Sequence, residues 1–323
     1  MNYKPILIVC GEPNSVFSEL LVKSFKRYKS NTPIVLIGSY DLIKSQLKEL
    51  GLRLKMYPVL LHANYLKDLR RDKINIINVN YNFKKPFENS SPKSKKYISK
   101  CFHKAFKIIN YNKITGLING PVSKSIFLKG KYQGITEYIC AKYNIKKNYA
   151  MLIYNKLLSV SPVTTHLPIS KVSKKIDKES IISKSILINN FYNNKLKIKP
   201  RIAITGLNPH CENFFYMSEE KKIIEPAIKI LKKKKIHITG PFPADTIFLK
   251  QNSKKFDVIV GMYHDQVLTP LKALKGFNAI NITLGLPFLR VSPDHGPNEK
   301  MIGKNRSDPQ SLIESIKFLN KFK

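Results

Sequence analysis

What most constrains this chain is an alternation. Short apolar runs, rich in Ile and Val, are each followed by a longer stretch whose apolar positions recur at helical spacing. The runs are "ILIVC" (6–10), "PIVLIG" (33–38), "INIINV" (74–79), "GLINGP" (116–121), "RIAITGL" (201–207), "HITG" (237–240), "DVIVG" (257–261) and "AINITLG" (279–285). Runs this short and β-branched read as strands of a buried sheet. Helices are expected between most of them, including one through Arg27, one to Leu50 and one over 94–110. Strands alternating with helices make a mainly parallel sheet covered by helices, the α/β class. "NYNFKKPFENSSPKSKK" (80–96) reads as a surface crossing. "YAMLIYN" and "LLSVSPVTTH", close together across Asn155 and Lys156, read as a hairpin in a second, mixed region.

At 323 residues with 43% hydrophobic content, the chain suits one large α/β unit or two domains and can bury a sizeable core. No apolar run is long enough to span a bilayer, so no membrane role is expected. "MNYKPILIVCGEP" reads as a first strand rather than a signal peptide. Cys10, Cys101, Cys140 and Cys211 are scattered, which points to a reducing, cytoplasmic setting and not to a disulfide scaffold. The net charge of +36 raises the question of nucleic acid. Only seven of the 57 basic residues are arginine, and the lysines run along the whole chain. Specific phosphate and base recognition favours the planar fork of arginine. A diffuse lysine excess reads as compositional drift on a surface, with no specific nucleic-acid partner.

Three of the seven histidines stand directly after apolar strands: His166 in "SVSPVTTH", His210 in "IAITGLNPH" and His264 in "VIVGMYH". His62, His103 and His237 sit in polar, helical or lysine-rich context and read as structural or solvent-facing. In an open parallel sheet the carboxyl ends of the strands line the ligand crevice. Three imidazoles there can give a divalent metal three ligands and leave positions open for water and substrate. They can equally be satisfied loop histidines, and their spacing alone does not decide. Asp245 in "FPADT" and Asp265 beside His264 could orient an imidazole, complete a shell or accept a proton. Lys272, Asn281 and Arg290 follow, and such a set suits a phosphate or carboxylate. Ordinary surface charge is the competing reading for Lys272 and a weaker one for the scarce arginine.

Seven stretches in order, "NGPVSK" (119–124), "VTTH" (163–166), "GLNPH" (206–210), "GPFPADT" (240–246), "MYHDQ" (262–266), "NITLGLPF" (281–288) and "DHG" (294–296), resemble the 4-hydroxythreonine-4-phosphate dehydrogenase family of vitamin B6 synthesis. The resemblance covers most of the chain and is densest over 200–296. It implies a fold like the isocitrate and isopropylmalate dehydrogenases, with two α/β/α domains, an active site in the cleft and a homodimer. One domain would take 1–130 plus 296–323 with the cofactor side. The other, 131–295, would carry metal residues, substrate residues and dimer contacts. It further implies a divalent metal (Zn, Mg or Co) on His166, His210 and His264, and substrate contacts at Thr136, Lys272, Asn281 and Arg290. His295 and Gly296 would lie on the adenine side of NAD or NADP, and Asp245 or Asp265 would be the base. The implied reaction oxidises 4-phosphohydroxy-L-threonine to a β-keto acid, which loses carbon dioxide to give 3-amino-2-oxopropyl phosphate.

The chain departs from the family pattern in three places. The first loop reads "GEPNSVFSEL" (11–20) where the family is richer in glycine. Ile135 stands in "GITE" where the family has histidine, so a side-chain hydrogen bond is missing. Pro297 follows "DHG" and removes a backbone donor. These departures keep two alternatives open: a decarboxylating dehydrogenase of a four-carbon sugar-acid phosphate (threonate or erythronate 4-phosphate), or a metal-binding relative that has lost its activity.

Overall fold

The computed structural model describes residues 4–62, 65–70, 73–111, 114–211, 218–276, 278–293 and 298–322. In chain order its regular elements are β1 (Ile6–Val9), α1 (Phe17–Arg27), β2 (Ile34–Gly38), α2 (Tyr40–Glu49), β3 (Met56–Pro58), β4 (Ile74–Asn78), α3 (Pro92–Tyr111), β5 (Gly116–Asn119) and α4 (Ile135–Lys142). There follow β6 (Ala150–Tyr154), β7 (Ser159–Thr164), α5 (Val172–Lys175), α6 (Lys178–Phe191), β8 (Ile202–Thr205), α7 (Glu225–Lys233), β9 (Ile238–Phe242), α8 (Ala244–Ile247) and α9 (Lys250–Ser253). The last are β10 (Val258–Tyr263), α10 (His264–Lys275), β11 (Ile280–Leu284), β12 (Arg290–Pro293) and α11 (Gln310–Leu319). The expected α/β class is borne out. The chain divides into two units: residues 1–135 with 287–323, and residues 136–286.

The first unit holds strands in the order β3-β4-β2-β1-β5-β12, all parallel. Ile6, Leu7, Ile8 and Val9 of β1 are wholly buried, as are the central residues of β2, which is why these strands read as unbroken apolar runs. α3 packs on β1 and β2, and α11 on β5 and β12. α3 starts two residues before the expected helix, at Pro92, whose fixed φ suits the first turn. Ser39 caps α2 by accepting from the Leu42 N–H. The returning C-terminal segment is tied to α1 through buried Glu19, whose carboxylate accepts from the Ser307 N–H at 2.6 Å and from Lys23 Nζ at 2.7 Å.

The second unit orders its strands β11-β6-β7-β10-β8-β9. The expected hairpin is present: β6 and β7 are antiparallel, with Ile153 opposite Val160. β11 is antiparallel to β6, while β7, β10, β8 and β9 are mutually parallel. α10 packs on β7 and β10, and α6 on β6, β7 and β11. The core under α10 joins Ile153, Val160, Ala203, Ile259, Val267 and Leu271. Asp177 caps α6 by accepting from the Ser180 N–H at 2.6 Å. Among the described residues no helix is long and apolar enough to cross a membrane.

Candidate active site

Within the second unit, β7, β10 and β8 lie side by side and run the same way, with Tyr263 paired to Thr164 and Val260 to Ile204. Each strand delivers one of the three histidines at its carboxyl end. His166 comes two residues after β7, His264 is the first residue of α10 directly after β10, and His210 lies in the turn after β8. His166 and His210 both have left-handed backbones, at φ 32° and 56°. Side-chain residues rarely adopt that conformation, and it is held only where the surroundings impose it.

The rings of His166 and His264 lie 5.6 Å apart between centroids. His264 Nδ1 is 2.8 Å from Asp265 Oδ1, and His210 Nδ1 is 3.5 Å from Asp245 Oδ2. A carboxylate at Nδ1 holds the proton there and leaves the Nε2 lone pair free to donate to a metal. Both aspartates named from the sequence thus stand beside the histidines named with them. Among the described residues, no group of three or more His, Cys, Asp and Glu side chains is drawn close enough to enclose an ion. Two imidazoles face each other and the third leans on Asp245.

The candidate substrate residues lie on four elements. Thr136 is buried in the first turn of α4, its Oγ1 3.4 Å from Thr283 Oγ1 on β11. Asn281 lies on β11, and its Oδ1 is buried with no hydrogen-bond partner among the described residues. Lys272 is exposed on α10. Arg290 belongs to the first unit, on β12, fully buried, with Nε donating to Asn119 Oδ1 at 2.9 Å. His295, Gly296 and Pro297 lie outside the described residues. Ile135 opens α4 immediately before Thr136.

In the altered first loop, Gly11 remains where a Cβ would meet the Pro121 carbonyl oxygen at 2.3 Å. Ser15 closes the turn with its own side chain, donating to the Glu12 carbonyl at 2.7 Å and accepting from the Phe17 N–H at 3.3 Å. One neighbour of the histidines escaped the sequence reading. Glu137 Oε1 accepts from Thr165 Oγ1 at 3.3 Å, directly before His166. Its only sequence signal was its place in "GITE".

The model of the family "Pyridoxal phosphate biosynthetic protein PdxA" matches residues 29–319. A 4-hydroxythreonine-4-phosphate dehydrogenase from Sulfurihydrogenibium sp. is 39% identical over 316 residues, 96% of this chain and 96% of that protein. The solved structure of a putative 4-hydroxythreonine-4-phosphate dehydrogenase from Salmonella typhimurium superposes with a TM-score of 0.85 at 27% identity, covering 99% of each chain. A beta-decarboxylating dehydrogenase from Thermococcus kodakarensis, at 10% identity and a TM-score of 0.51 over 97% of this chain and 81% of that one, shares the fold alone. On the family model's span and the near full-length identity to the Sulfurihydrogenibium protein, this chain belongs to the PdxA family of pyridoxal phosphate biosynthetic proteins.

Proposed function

We infer that the chain is a 4-hydroxythreonine-4-phosphate dehydrogenase of vitamin B6 synthesis. It oxidises 4-phosphohydroxy-L-threonine with NAD or NADP to a β-keto acid, which decarboxylates to 3-amino-2-oxopropyl phosphate. The observation that carries this reading is the placement of His166, His210 and His264 at one end of three adjacent parallel strands. Their chemistry fits a divalent ion. Three neutral imidazoles suit zinc or cobalt, and magnesium would draw on the oxygens of Asp245 and Asp265. Such an ion supplies positive charge that acidifies an alcohol.

Asp245 or Asp265 takes the hydroxyl proton, each standing beside a histidine of the set. A bound NAD or NADP would accept the hydride from the same carbon, so that proton and hydride together would account for the two-electron oxidation. The new carbonyl lies β to the carboxylate and accepts the electrons of the C–C bond as carbon dioxide departs. Thr136, Lys272, Asn281 and Arg290 bind the substrate and its phosphate and orient the reacting carbon. The first unit takes the cofactor side, with His295 and Gly296 toward the adenine. The second unit takes the metal residues and the contacts of a homodimer working in the cytoplasm.

A second reading is favoured by Ile135. An apolar side chain beside Thr136 suits a substrate lacking the group that a histidine would bind there, such as threonate or erythronate 4-phosphate. NAD(P)H formation by the purified chain, with and without added divalent metal, separates the cases. Metal-dependent turnover of 4-phosphohydroxy-L-threonine, abolished in His264→Ala, is expected. Turnover confined to the sugar-acid phosphates favours the second reading. No turnover with metal still bound identifies a relative that has lost its chemistry.

A further inference from the structure

We propose that Gln266 is a positioning residue: its buried amide joins the strand end that carries His264 to the strand end that carries His210 and so sets the spacing of the imidazoles. The proposal rests on the reading of the three histidines as one metal site. The β10–β7 ladder runs on to Tyr263 and Thr164, but the β10–β8 ladder stops at Val260 and Ile204. Beyond that point the backbones of β10 and β8 no longer hold each other, yet both chains must still deliver a histidine.

The Gln266 side chain takes over there. From the first turn of α10 it reaches back, and its Oε1 accepts from the Met262 N–H at 2.7 Å and from Thr205 Oγ1 at 2.8 Å. Its Nε2 donates to the Gly206 carbonyl at 2.8 Å. One amide thus replaces the missing rung. On the other side, Thr164 Oγ1 donates to the Met262 carbonyl at 2.8 Å and ties the strand of His166 to the same residue. Gln266, Thr164 and Thr205 are all buried.

Glycine makes room for this bridge. A Cβ on Gly261 would meet Gln266 Oε1 at 2.9 Å and Val267 Cγ1 at 2.3 Å. Ligand sets tolerate errors of only about half an ångström, and partners outside the ligands typically change metal affinity about 10–100-fold when removed.

The test is cobalt(II) binding by the full chain, followed by absorption and calorimetry, alongside the thermal midpoint. Gln266→Met is expected to weaken binding about 10–100-fold. Thr164→Val, which removes one hydroxyl, weakens it by a smaller factor. Leu231→Ala, a buried position in the last turn of α7, lowers the midpoint but keeps affinity within about twofold. If Gln266→Met loses stability as Leu231→Ala does while affinity stays native, Gln266 is an ordinary core amide and the proposal is overturned. Should Gln266→Met fail to fold, Thr164→Val decides alone, and native affinity there overturns the proposal too. If the native chain binds no cobalt, the metal reading itself fails and takes this proposal with it. Native binding with unaltered variants sinks only the proposal.

Discussion

Each unit buries a glutamate near the carboxyl ends of its parallel strands, and the pKa values of the two are shifted in opposite directions. Glu220 in the second unit is wholly buried. Its Oε1 accepts from the Leu207 and Asn208 N–H groups, both at 2.8 Å, and its Oε2 from Asn208 Nδ2 at 2.8 Å. Burial alone would raise its pKa. The hydrogen bonds from Asn208 and Leu207 outweigh that, and the carboxyl lies below its ordinary value. Glu12 in the first unit is 2% exposed, yet neither carboxylate oxygen has a partner at hydrogen-bonding geometry among the described residues. Desolvation dominates and raises its pKa, against weaker opposing pulls from Ser90, Ser94 and the Asn14 and Ser123 backbone. Burial costs a carboxylate only what its neighbours fail to return. The loop that carries His210 is held by a carboxylate clamp, while the loop after β1 holds a carboxyl whose pKa burial raises.

The contrast can be broken most directly at Glu220. Glu220→Leu leaves two backbone N–H groups and an amide without their acceptor. It should cost about 1–3 kcal/mol for each buried donor left unpaired. The loss should appear as a lowered thermal midpoint and as fast hydrogen exchange at Leu207 and Asn208. Native exchange there would show that the clamp holds nothing.

Acid separates the two groups by sign. Glu220, with its pKa depressed on folding, contributes stability that is present above the ordinary value of 4.5 and lost as pH falls through the folded value. Glu12, with its pKa raised, contributes stability that is full below 4.5 and lost as pH rises through the folded value. Each unit of separation is worth about 1.4 kcal/mol. Denaturation curves between pH 3 and 8 should therefore have a shallower acid limb in Glu220→Gln, the rest being carried by groups such as Asp257 that are also lowered, and an unchanged limb in Glu12→Gln. The smallest effect sharpens the contrast. Glu12→Gln should raise the midpoint slightly as pH rises above 4.5 and change it least below that value. A loss of stability at pH 8 would mean that the charged form of Glu12 has a partner after all.

Most strands that were legible in the sequence are buried along nearly their whole length, because burial favours an unbroken apolar run, although β9 was read from "HITG" with only Ile238 buried. β3 was missed, since Met56 and Tyr57 are only half-buried and Pro58 is exposed. β12 was missed because it opens with Arg290, a cation that no apolar pattern predicts inside a sheet. The histidines stood out because position after a strand is a one-dimensional signal. Gln266 and Glu220 gave none, although Gln266 stands inside the quoted "MYHDQ". Their partners are set by which strands lie side by side and where a ladder ends, and spacing along the chain does not encode that. The same holds for Arg290, grouped by sequence with Lys272 and Asn281 but carried on a strand of the other unit.

The first unit is made of two pieces of chain separated by all of the second. During synthesis the second unit emerges in one continuous stretch and can close on itself at once. The first unit must wait, with the edge of β5 that β12 will pair with still open, until residues 287–323 leave the ribosome. A premature stop after about residue 286 would therefore injure the fold of residues 1–135 more than that of residues 136–286. The exposed flank of the waiting half-sheet is where chaperones or a second nascent chain would find it.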